Sequence, residues 1–175
     1  MRTSTALLVS ASILSSAQTL PVVHGTSVSG HSVTLPDQAR GKVAVLVIGF
    51  SRNSAIPTGV WGQRLKAEFG RDPGVSIFRM PFLEEVPRLF RGMAIAGVKH
   101  AAGSEDRDTM VMVFESEAVF KHLAGYAKPD DAYIVVLDAK GAIQRRSTGD
   151  AQIEFAGVRD QIKQLLRGHP DSAAR

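Results

Sequence analysis

The chain contains no cysteine in its 175 residues. That absence excludes disulfides, thiolate nucleophiles, resolving thiols, iron–sulfur ligation and thiolate zinc sites together. Aromatic residues are few, 6% of the chain, and do not interleave with basic clusters, so the stacking platforms of a nucleic-acid binder are missing. Blocks of like charge are also lacking. Lys plus Arg number 21 against 17 for Asp plus Glu, scattered along the sequence, a balance that favours solubility and supplies no dedicated nucleic-acid arm. Beyond the N-terminal stretch, no run is long and apolar enough to read as a transmembrane helix.

What is present suits an ordinary globular domain. At 44% hydrophobic and 22% charged, the chain is long enough to bury one substantial core. At the N-terminus, Arg2 precedes an apolar stretch from Ala6 to Leu14, followed by Ser15-Ser16-Ala17. This resembles a secretory signal over residues 1–17, cleaved before Gln18. An uncleaved anchor, an organellar leader and an unstructured end are the rival readings; the run is short and serine-rich for a bilayer span, and one Arg is few for a transit peptide. The expected organisation is therefore a signal at 1–17, one domain at 18–168 and a tail at 169–175, in an exported protein of the periplasm or the extracellular space with no integral membrane segment after cleavage.

Periodicity supplies the elements. Val28, Val33 and Leu35 flank Ser29-Gly30-His31-Ser32, the pattern of a short hairpin. The run from Val43 to Phe50 is apolar on both faces, as a doubly covered central strand requires. A polar loop, Ser51 to Ser54, leads to Pro57-Thr58 as a helix start, with Trp61, Leu65 and Phe69 as its apolar stripe. Val75 to Met80 predicts a second core strand parallel to the first. Glu84-Glu85-Val86-Pro87 reads as acid and proline at a helix N-terminus, with Leu89, Phe90 and Met93 as one apolar face. A strand over Met110–Phe114, a helix over Ala118–Leu123 and a hairpin from Ala132 through Asp138-Ala139-Lys140-Gly141 to Ile143 follow. A last amphipathic helix carries Ile153, Val158, Ile162 and Leu165 or Leu166.

This order resembles the thioredoxin-like superfamily, in particular its TlpA-like and peroxiredoxin-like members, over roughly Val28 to Leu166. The residues that carry the likeness are Gly30-His31-Ser32-Val33-Thr34-Leu35 with Arg40-Gly41-Lys42-Val43, and the late stretch from Ile134 to Ile143 containing Leu137-Asp138-Ala139-Lys140-Gly141-Ala142. The resemblance implies an α/β three-layer sandwich, a central mixed β-sheet flanked by helices, with an N-terminal β-hairpin. It also places Asn53-Ser54-Ala55-Ile56 where a Cys-x-x-Cys would stand, a one-residue slip centring the site on Ser54, and Ala132 where the superfamily carries a cis-proline. A cis bond before alanine costs about 3 kcal/mol, so that peptide is expected to be trans. Gly125-Tyr126 and Tyr133 to Asp138 also carry a faint likeness to the mitochondrial ATP-synthase assembly-factor family, which implies a holding role only.

Other constellations have plainer readings. His24, His31, His100, His122 and His169 show no metal-helix spacing and no His-Glu-x-x-His pattern. Asp130-Asp131 suits a loop, because adjacent side chains of an extended segment point opposite ways. Ser51, Ser54 and Ser147 lack the Gly-x-Ser-x-Gly elbow of a serine hydrolase. In Arg145-Arg146, strand alternation sends at least one side chain into solvent. Trp61, Phe69, Phe90 and Met93 are expected in the core, the alternative being that Met93-Ala94-Ile95-Ala96 exposes a patch to a partner.

The expected function is a non-redox, thioredoxin-like binding or assembly-chaperone domain. It would hold a protein or peptide partner, without nucleic acid, metal or cofactor, on the surface around Arg52, Asn53, Ser54, Asp131, Ala132 and Tyr133. The alternative is an enzyme with non-thiol chemistry, either a serine- or histidine-dependent hydrolase or a metal-assisted peroxidase.

Overall fold

The computed structural model describes residues 18–168; the expected signal segment, the tail and His169 lie outside them. The order is β1 (Val23–Ser27), β2 (Ser32–Leu35), β3 (Val43–Gly49), α1 (Ala55–Phe69), β4 (Val75–Pro81), α2 (Arg88–Ala101), β5 (Val111–Val113), α3 (Glu117–Ala124), β6 (Tyr133–Leu137), β7 (Ile143–Thr148) and α4 (Ala151–Arg167).

The central sheet runs β4-β3-β6-β7 and is mixed: β4 lies parallel to β3, whereas β6 is antiparallel to both β3 and β7. All seven residues of β3 are buried, because successive side chains enter opposite layers. Ala44, Leu46 and Ile48 join Tyr133, Val135 and Leu137 of β6 in one core, with Phe120 and Leu123 of α3. Val43, Val45 and Val47 join Trp61, Leu65 and Phe69 of α1 and Phe155, Val158 and Ile162 of α4 in the other. Two covered faces explain why the sequence shows uninterrupted apolar runs in place of alternation.

The N-terminal hairpin belongs to a second sheet, β2-β1-β5, all antiparallel. Parallel bridges from Met110 to Arg79 and from Val113 to Phe82 tie it to the β4 edge. The expected strand over Met110–Phe114 is thus real but shorter, and it pairs with the hairpin.

Three expectations need correction. Helix α1 starts at Ala55, ahead of Pro57; proline is tolerated in the first turn, whose N–H groups have no helical partner. The face of Leu89, Phe90 and Met93 is not core: these residues are 86%, 50% and 68% exposed, and α2 buries none of its residues fully. The helix leans instead through Ala94, Ile95 and Val98 on Val28, Leu83, Met110 and Met112. Ile153 is likewise exposed on α4, where Ala151 and Phe155 take the inward positions.

Candidate functional site

The chain leaves β3 at the C-terminal edge of the sheet and turns through Ser51–Ser54 into α1. Gly49 makes the turn possible, because a Cβ there would lie 2.5 Å from Ser54 Oγ and 3.3 Å from Thr58 Cγ2. Ser54 is buried. Its hydroxyl donates to the Ser51 carbonyl at 2.7 Å and accepts from the Ser51 N–H at 3.3 Å. The Ser51 hydroxyl accepts from the Ser54 N–H at 3.1 Å and donates to Asp130 Oδ1 at 2.7 Å. Asn53 Nδ2 donates to Asp130 Oδ2 at 3.2 Å. The Ser51 hydrogen bond, with that of Asn53, holds the Asp130 carboxyl below its usual range, since both bonds favour the ionised form.

The facing loop ends at β6. Ala132 and Tyr133 have no exposed surface. The Tyr133 hydroxyl accepts from the N–H groups of Ala127 and Lys128 at 2.9 and 2.8 Å and donates to the Lys128 carbonyl at 2.7 Å. The Ala132 carbonyl accepts from Gly149 N–H and Thr148 Oγ1, both at 3.2 Å. The peptide before Ala132 is trans; among the described residues the cis bond is Leu35-Pro36. Phe50 packs edge-on against Tyr126 and Tyr133, each 5.5 Å away between ring centroids.

Between the first turns of α1 and α4 lies an open groove of about 410 Å³. Ile56, Pro57 and Val60 form one wall, Gly149, Ala151 and Gln152 the other, and Asp131 and Asp150 add two carboxylates. Ile56 is 77% exposed. Asp150 caps α4 by accepting from Gln152 N–H at 2.7 Å.

No family model matches the chain, and no curated protein does. Solved structures do. An uncharacterized conserved protein from Geobacillus kaustophilus superposes with a TM-score of 0.66 at 15% identity, over 88% of this chain and 83% of that one. A putative thiol:disulfide interchange protein DsbE from Chlorobium tepidum gives 0.61 at 14%, over 85% and 96%. A putative protein disulfide isomerase from Bacteroides thetaiotaomicron gives 0.59 at 20%, over 89% and 92%. This chain has the thioredoxin-like fold.

Asn53 and Ser54 lie in the turn from β3 into α1, and Ala55 and Ile56 are the first two residues of the helix. Without cysteine the thioredoxin-like domain has no thiol to oxidise, reduce or use against a peroxide. The surface there is narrower than the sequence suggests. Arg52, Asn53, Ala55 and Ile56 face solvent, whereas Ser54, Ala132 and Tyr133 shape it from beneath.

The serines do not assemble with histidine. Ser51 donates to Asp130, Ser54 to the Ser51 carbonyl and Ser147 to Glu154, at 2.7 Å each, so none is paired with an imidazole base as an activated nucleophile requires. His24 sits beside Thr34 and His31 beside Ser29 and Asp108, on the hairpin; His100 ends α2 and His122 lies in the last turn of α3. Among the described residues no three His, Asp or Glu side chains gather as metal ligands.

Glu84 and Glu85 serve α3, not α2. Glu84 accepts from Glu117 N–H at 2.6 Å, and the Glu85 carboxylate lies 2.7 Å from Lys121 Nζ. The buried carboxylate of Glu117 accepts from Glu85 N–H at 3.3 Å and lies 3.0 Å from Lys121 Nζ, in ion-pair contact without hydrogen-bond alignment. Sequence reasoning missed this group, and only the three-residue Glu117-to-Phe120 and four-residue Glu117-to-Lys121 spacings hint at it.

Proposed function

We propose that this chain is a non-redox binding domain that holds an extended protein segment in the groove between α1 and α4, in the manner of an assembly chaperone acting outside the cytoplasm. The observation that carries the reading is the pairing of exposed Ile56 and half-exposed Val60 with Asp131 and Asp150 around one open groove. Exposed apolar side chains beside a shaped cleft are features of a docking site. The two carboxylates favour a segment whose apolar residue is flanked by Lys or Arg.

The Ser51, Asn53 and Asp130 bonds support the same reading, since they fasten the two loops bordering this end of the sheet and so reduce the ordering cost of binding. The Arg2 and Ala6–Leu14 pattern supports an exported location.

The test is a library of unstructured peptides displayed against the purified domain. Retained peptides should share an apolar residue next to a basic one, and Ile56→Glu should lower their affinity about tenfold or more, the loss expected when one large apolar contact goes. Equal binding by wild type and by an Ile56→Glu, Val60→Ser double variant would remove the groove from consideration.

A further inference from the structure

Helix α2 presents a surface that the groove does not explain. Along Arg88–Ala101 the cations are Arg88, Arg91 and Lys99, with His100 beside them and no acidic residue. Arg91 is turned inward, donating to the carbonyls of Val86 and Glu84 at 3.0 Å each. Arg88 and Lys99 point outward and form no ion pair among the described residues. At 100° per residue, Leu89, Met93 and Ala96 fall within about 60° of one another, and Arg88 and Lys99 lie together along one flank of that stripe. Phe90 lies on the opposite flank, half exposed. A Cβ at Gly92 or Gly97 would meet nothing within 4 Å, so none of the described residues covers the helix at these positions.

A helix with large apolar side chains outward, basic residues beside them and no carboxylate of its own has the chemistry of an element that lies in a lipid interface, and the nearest exposed carboxylates, Glu85 before it and Glu105 after it, are paired with Lys121 and Lys66. Its 14 residues are too few to cross a bilayer. We propose that α2 docks the domain peripherally on an anionic membrane, with Leu89, Phe90 and Met93 entering the acyl boundary and Arg88 and Lys99 at the headgroups. The charge complementarity selects an anionic bilayer as the occupant, and the net charge of +4 on the chain acts in the same direction. This docking does not depend on the groove between α1 and α4.

The experiment is cosedimentation of the full chain with vesicles of equal parts phosphatidylglycerol and phosphatidylcholine, beside vesicles of phosphatidylcholine alone. The domain should partition to the anionic vesicles and lose that binding as salt is raised. Arg88→Gln and Lys99→Gln should each weaken it about fivefold, the effect of one cation near an anionic surface. Leu89→Ser and Met93→Ser should each weaken it about tenfold or more. All four side chains are exposed, so the variants should keep the wild-type circular dichroism and melting midpoint.

Three results overturn the proposal: no partition to anionic vesicles at low salt, equal binding to both vesicle types, or unchanged binding by a Leu89→Ser, Met93→Ser double variant. A wild-type dimer that this double variant dissolves, in a protein that ignores vesicles, assigns the face to a second copy and overturns it too.

Discussion

Ser51 donates its hydroxyl to Asp130 at 2.7 Å, across the space between the turn leading into α1 and the loop leading into β6. The junction between the two loops is made by a hydroxyl, an amide and a carboxylate. None of them can carry electrons, and together they fix the shape of the edge.

That junction should titrate. The Ser51 hydrogen bond, followed by that of Asn53, lowers the folded-state pKa of Asp130. A depressed carboxylate contributes stability above its unfolded value, about 3.9, and loses it as pH falls through the lower folded value. The side-chain carboxyl resonance of Asp130 should therefore show a midpoint under about 3.9, and Ser51→Ala should move it upward. An Asp130 midpoint that ignores Ser51→Ala would mean the bond does not persist in solution.

Gly49 tests how tightly α1 is seated. A methyl group at this position would lie 2.5 Å from Ser54 Oγ, and Ser54 is buried and doubly bonded to Ser51. Gly49→Ala should cost about 1–3 kcal/mol, the usual range for overpacking. Removing the opposing oxygen with Ser54→Ala should recover part of that loss, so the double variant should be more stable than the sum of the single changes predicts. Denaturant unfolding of the four proteins measures the coupling; strict additivity would show that the clash is relieved elsewhere.

Lys121 is the counter-charge to buried Glu117. Burial pulls the Lys121 ammonium down, but the hydrogen bond to Glu85 and the close negative charges of Glu117 and Glu85 outweigh it, so its folded-state pKa stands above 10.5. Stability from a raised lysine is present below the unfolded value and is lost as pH rises through the folded one. Lys121→Met leaves the Glu117 carboxylate buried without its cation, and should cost about 3 kcal/mol at neutral pH. Thermal melts of the two proteins measure the loss, and an equal loss when Lys121→Met is made in a Glu117→Gln background would assign it to packing of the lysine stem.

Much of this architecture is legible in the residue pattern. The apolar runs at Val43–Phe50 and Ile134–Leu137 report strands covered on both faces, and both are buried throughout. The Trp61, Leu65 and Phe69 spacing marks the inward face of α1, and Asp138 to Gly141 marks a turn where Gly141 has φ of 84°. The failures share a cause. Leu89, Phe90, Met93 and Ile153 are apolar at helical spacing yet exposed, because periodicity reports that a stripe exists and not which side the sheet lies on. The site was half legible. The polar turn from Ser51 to Ser54 follows from the apolar strand before it, whereas the walls of the groove come from α1 and α4, nearly a hundred residues apart in sequence, and the Glu84-to-Glu117 bond joins the loop before α2 to the start of α3 across 33 residues.

Trp61 joins the core to the groove, and its replacement tests that link. It is the only tryptophan, has no exposed surface, and its indole N–H donates to the Gly149 carbonyl at 2.9 Å. Gly149 in turn donates to the Ala132 carbonyl and borders the groove. Trp61→Phe keeps an aromatic ring beside Phe155, 6.1 Å away in the wild type, but leaves a partly buried carbonyl without its donor and removes ring volume. Loss of the bond alone should cost about 1–2 kcal/mol, with more from the void. Wild-type emission should shift to the red on unfolding, as the buried indole meets water, and circular dichroism should report the lower midpoint of the variant. A Trp61→Phe protein as stable as the wild type would show that the Gly149 carbonyl finds another donor, and would detach the groove wall from the core behind it.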